Sequence, residues 1–143
     1  MSRQSITGHS MGGHGALTLA LRHPGHYISV STFAPICNPT QLDWGRKQLG
    51  AYLGQDEVAR EKHDVTCLMR EQGITCPVLI DKGTSDQFYD LLRTAAFATA
   101  AAEQKVAVTI SLQDGYDHSY FFISTFMLGN IEFHANALLE RGV

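Results

Sequence analysis

The 143-residue sequence has no apolar run approaching the roughly 20 residues of a membrane helix, and its start, MSRQSITGHS, lacks the apolar stretch of a signal peptide. A cytoplasmic protein is the expectation, although a truncated start would hide a leader. Cysteine is scarce: Cys37, Cys67 and Cys76 are odd in number and show no C-x-x-C spacing, which argues against a disulfide framework and fits a reducing compartment. H-E-x-x-H, paired-cysteine and calcium-loop patterns are missing too, so neither a metal nor another cofactor is expected. A formal charge of −3, with acids and bases interspersed, leaves no basic stripe for nucleic acid and no polybasic segment for a membrane. Repeats and low-complexity linkers are also missing.

What the chain does have is an ordinary globular composition and an alternation of short apolar runs with helical patterns, the mark of an α/β fold with a parallel sheet. Residues 4–7 read as the tail of a strand, and Gly12 to His23 as a helix that stops near Pro24. Ile28 to Phe33, Val78 to Asp81 and Val106 to Leu112 read as further strands. Helices are expected over Phe88 to Gln104, with Phe88, Leu91, Leu92, Ala95, Ala98 and Ala102 at helical intervals, and over Tyr120 to Leu139, with Ile123, Met127, Ile131, Ala135 and Leu138. Residues 38–76, with helical pieces near Leu42 to Leu53 and Asp64 to Gln72, read as an insertion on this framework. The expected whole is one domain over 1–143, a mostly parallel sheet of about four strands covered by helices. Right-handed crossovers then bring the C-terminal strand ends to one edge, where such sheets bind ligands.

Strand, sharp turn and helix meet in Gly8-His9-Ser10-Met11-Gly12. A G-x-S-x-G corner lifts a serine hydroxyl above the sheet, with Gly8 and Gly12 placed where side chains would collide with the neighbouring strand and helix. A serine needs a base, an acid to orient it and donors for the oxyanion. Asp86 in KGTSDQF and His118 in DGYDHSY follow successive strands in the order acid, then histidine. Asp81 is a rival that could instead hold its loop, while Asp114 and Asp117 lie too near His118 in the chain to orient it easily. His14 and His134 lie inside helices, where a structural role is expected, and His9 is expected to buttress the turn. The Met11 N–H would be one oxyanion donor, strengthened by the helix N-terminus. Taken alone, Ser10 could equally mark a glycine-rich helix start that binds an anion.

The stretches GHSMGGHGAL, FAPICNP, WGRKQLGAYLG, LIDKGTSDQF and GYDHSYFFISTF together resemble the C-terminal half of the S-formylglutathione hydrolase family, the esterase D group of α/β-hydrolases. The resemblance implies Ser10 as nucleophile, Asp86 as acid and His118 as general base, in hydrolysis of a small-molecule thioester, S-formylglutathione, during formaldehyde removal. Trp44 and Met11 could wall the acyl pocket. Family members are about twice as long, so the chain reads as truncated, with the second oxyanion donor outside it. A carboxylesterase of another acyl specificity remains an alternative. So does a non-catalytic remnant that dimerises, or otherwise associates, through the exposed edge of the strand before Ser10.

Overall fold

The computed structural model describes residues 2–140. Four parallel strands, β1 (Ile6–His9), β2 (Val30–Phe33), β3 (Val78–Gly83) and β4 (Val108–Gln113), form a sheet in the order β1-β2-β3-β4. Helix α1 (Met11–Arg22) links β1 to β2. The β2 to β3 connection carries a 3-10 turn (Pro39–Gln41) and helices α2 (Asp43–Leu53), α3 (Glu57–Glu61) and α4 (Val65–Gln72). Helix α5 (Thr94–Glu103) links β3 to β4, and α6 (Tyr120–Glu140) follows β4. No helix in the described residues is long and apolar enough to cross a membrane.

The strands lie where apolar and β-branched residues were expected to place them, shifted by one or two residues. β2 and β3, almost wholly buried, are the inner pair; β1 and β4 are partly exposed edges. Alternation along the inner strands gives the sheet two different faces. On one, Val30, Val78 and Ile80 pack with Leu17 and Leu21 of α1, Leu68 and Met69 of α4, and Phe97 and Ala100 of α5. On the other, Phe33 packs with Phe122 of α6 at a ring separation of 5.7 Å, while polar side chains of the same face meet polar residues further along α6.

Residues 38–76 are fastened by one buried carboxylate. Asp64 caps α4 through the Thr66 and Cys67 N–H groups, and its other oxygen accepts from Asn38 Nδ2, Thr40 N and Thr40 Oγ1. Beside it the Cys37 backbone is held on both sides: its N–H donates to Leu92 O at 2.9 Å, and its carbonyl accepts from Thr66 N and Thr66 Oγ1. Cys37 and Cys67 are free thiols.

Two helical expectations change. The expected Phe88 to Gln104 helix begins only at Thr94, because Arg93 sits in the left-handed region at φ 52° and residues 84–93 form a loop. Within α5 the inward face is Phe97, Ala100 and Ala101 rather than Ala95, Ala98 and Ala102. An alanine-rich helix has no strong period of its own, so the one bulky residue, Phe97, sets its rotation. In α6 the buried positions are Phe122, Asn130 and Ala137, whereas Ile131 and Ala135 are exposed. This helix is apolar on most sides, so hydrophobicity alone did not select the face.

Candidate active site

Ser10 lies between β1 and α1 with φ 55° and ψ −112°, a backbone conformation that L-residues seldom adopt. The strained corner is pinned by backbone bonds: Ser10 N–H donates to Phe33 O at 2.9 Å, and Ser10 O accepts from His14 N at 3.0 Å and Ile36 N at 3.3 Å. Close packing makes Gly8 obligatory, since a Cβ there would sit 2.1 Å from Gly12 O. The expected crowding at Gly12 is not found, and the neighbouring Gly13 takes that part instead, with a Cβ position 2.9 Å from Pro35 Cβ. Met11 opens α1, so its N–H precedes the intrahelical ladder and is free for an anion at the positive end of the helix.

The loops after β3 and β4 bring Asp86 and His118 together. Asp86 Oδ2 lies 2.7 Å from His118 Nδ1, with the Asp86 side chain fully buried and the His118 side chain 12% exposed. Asp86 is itself set by a local turn, its Oδ1 accepting from Phe88 N at 2.7 Å and its carbonyl from Tyr89 N at 3.0 Å. Ser85 N–H donates to Tyr116 O at 2.9 Å, binding the two loops to each other. That approach requires Gly83, where a Cβ would stand 2.1 Å from Tyr116 O. Behind the loop, Lys82 is buried, donates from Nζ to Tyr89 O at 2.8 Å and sits 3.6 Å from the centre of the Tyr89 ring. Burial lowers the Lys82 pKa, opposed by the charges of neighbouring acids, Asp86 among them.

The rival acids are occupied elsewhere. Asp81 accepts from Gln113 Nε2 at 2.9 Å and Asn130 Nδ2 at 2.8 Å, Asp114 accepts from Thr84 Oγ1, and Asp117 accepts from Ser119 N. Ser10 and His118 follow parallel strands that end on one edge of the sheet, with no side-chain hydrogen bond between them.

His9 differs from expectation. Its ring lies against His118 at 4.5 Å between centroids, so it faces the candidate site. Burial lowers its pKa, the neighbouring His118 lowers it further, and Asp86 partly opposes both. Phe88 packs edge-on against His118 at 5.1 Å.

Ser10 opens into an apolar cavity of about 260 Å³ lined by Met11, Ile36, Trp44, Phe88, Leu91 and Leu92. Of these, Met11 and Trp44 were singled out from the sequence as pocket walls. Ile36, Leu91 and Leu92 were not, because their apolar character reads equally as core. Among the described residues no cluster of His, Cys, Asp and Glu could hold a metal ion.

Comparison with known proteins agrees with this architecture. Residues 1–132 match the sequence profile of the family described as "Putative esterase". The chain is 58% identical over 135 residues to an S-formylglutathione hydrolase of Paracoccus denitrificans (strain Pd 1222), covering 94% of this chain and 48% of that protein. It is 50% identical over 139 residues to the S-formylglutathione hydrolase of Mus musculus, covering 95% and 49%. The structure of an S-formylglutathione hydrolase from Agrobacterium tumefaciens superposes with a TM-score of 0.92 at 45% identity, over 96% of this chain and 50% of that one. The chain thus spans about half the length of the relatives it matches.

Proposed function

The chain belongs to the esterase family, and from that membership we propose that it contributes the catalytic residues of a serine thioesterase that splits S-formylglutathione into formate and glutathione. Such a step would belong to the removal of formaldehyde as its glutathione adduct. In this reading Ser10 Oγ attacks the formyl carbon while His118 Nε2 takes its proton, and Asp86 holds the imidazole from Nδ1. Charge that develops on the carbonyl oxygen meets the Met11 N–H and the start of α1. The carbon–sulfur bond breaks, the thiolate leaves and recovers the proton from His118, and a formyl-serine remains. Water activated by His118 then releases formate and restores Ser10.

The observation that most supports the reading is the 2.7 Å Asp86–His118 pair, which engages the imidazole through Nδ1. The test is hydrolysis of S-formylglutathione by the purified protein and its Ser10→Ala variant. A loss in kcat of about 10⁴-fold or more is expected; turnover retained in the variant overturns the assignment.

One observation favours a second reading, a carboxylesterase acting on a longer acyl group. The cavity of about 260 Å³ at Ser10 holds far more than a formyl group. A higher kcat/KM for a four-carbon or feruloyl ester than for S-formylglutathione would decide for it. A third reading, association through the edge of β1, would gain ground if a fluorophosphonate probe failed to label Ser10.

A further inference from the structure

We propose that His134, on α6, is a positioning residue for Ser10, holding strand β1 in register against β2 through a directed chain of hydroxyl groups. The proposal rests on the reading of Ser10 as nucleophile.

The two nitrogens of His134 span two serines on the same face of the sheet: Nδ1 is 2.7 Å from Ser29 Oγ and Nε2 is 2.8 Å from Ser31 Oγ. Both serines are fully buried. Each is joined in turn to a hydroxyl at the β1 edge, Ser29 Oγ to Ser5 Oγ at 2.7 Å and Ser31 Oγ to Thr7 Oγ1 at 2.9 Å. The direction of the chain follows from proton counting. Ser31 spends its only proton on Thr7, so its oxygen must accept from Nε2–H. A neutral imidazole protonated on Nε2 must accept at Nδ1, so Ser29 donates to it. Ser29 then has no proton left for Ser5, and Ser5 donates to Ser29. Five side chains from the start of β1, β2 and α6 are thereby ordered into one chain with a single sense.

Among the described residues β1 pairs with β2 over four residues, with Thr7 opposite Ser31. A slip by one residue would turn its side chains to the other face, and a slip by two would move Ser5 and Thr7 off their partners. Because the serines at 29 and 31 match the reach of one imidazole, only the observed register completes the chain. Ser10 follows Thr7 by three residues, so its height above the sheet depends on that register. Among the described residues His134 has no carboxylate or cation partner, and its ring otherwise meets Phe133 at 5.2 Å. Burial lowers its pKa, in keeping with the neutral form the chain requires.

The test combines nitrogen NMR of the imidazole with fluorophosphonate labelling of Ser10 and amide exchange, on the purified protein and on His134→Leu and Thr7→Val. Thr7 is exposed, so its variant removes one acceptor without opening the core. A neutral ring protonated on Nε2 is expected. Labelling should slow about tenfold in His134→Leu and about threefold in Thr7→Val, with faster exchange in β1 and unchanged exchange in α5. A ring protonated on Nδ1, or wild-type labelling and β1 exchange in both variants, overturns the proposal. Ser10→Ala separates the two readings: if it labels like the wild type, the nucleophile assignment fails and this proposal falls with it. If Ser10→Ala is silent while the two variants label normally, only the role of His134 fails.

Discussion

On the α1 side of the sheet, Val30, Val78 and Ile80 pack with Leu17, Met69 and Phe97 in one apolar cluster. On the α6 side, Ser29 and Ser31 meet His134, and Asp81 meets Asn130, one helical turn away. The first face is held by contact area, which rewards any well-filled arrangement. The second is held by paired donors and acceptors, which reward one arrangement and penalise the rest. The difference teaches how an apolar, weakly patterned helix such as α6 finds a single rotation: the polar partners select it. The Ser10 corner and the loops that carry Asp86 and His118 all hang from strands of this sheet.

Breaking the apolar face should cost most. Phe97→Ala removes a fully buried ring and is expected to lower stability by about 4 kcal/mol, measurable by urea unfolding. Breaking the polar face at Asp81 should cost about 2 kcal/mol, because Asp81→Ala leaves Gln113 Nε2 without its acceptor while Asn130 Nδ2 keeps Phe126 O. Asp81→Asn should cost less than Asp81→Ala, since Asn130 Oδ1, unpartnered in the structure, can accept from the new amide after a flip. Equal loss in the two Asp81 variants would mean that packing, not hydrogen bonding, holds this face.

The smallest expected effect is a pH dependence. Burial lowers the pKa of His134 from its ordinary 6.5, so the unfolded chain binds a proton more readily than the folded one. That contribution is fully present above 6.5 and is lost as pH falls through the lower folded value. The melting temperature should therefore rise as pH is raised toward about 7, and the slope should shrink in His134→Gln. His9, lowered by burial and by His118, adds to the wild-type slope and remains in the variant.

Strand positions were legible because apolar runs such as Val78 to Ile80 are short and bounded, and the order of Ser10, Asp86 and His118 was legible because each follows a strand. The start of α5 was not, since Phe88, Leu91 and Leu92 keep a helical spacing while lining a cavity. The aim of His9 was hidden for a different reason: which way a side chain leaves a strained corner depends on a backbone angle that no local pattern encodes. Nor could the serines at 29 and 31 be read as partners of a histidine more than 100 positions away.

Cys37 offers a clock for the part of the molecule between the two sheet faces and the segment 38–76. Its thiol is wholly buried, its pKa is pushed up to about 12 by that burial, and its backbone is clamped between Leu92 and Thr66. An alkylating reagent at neutral pH can reach it only when those clamps part. The rate of its modification therefore counts openings of the segment, and anything that fills the space beside Trp44 and Leu92 should slow the count.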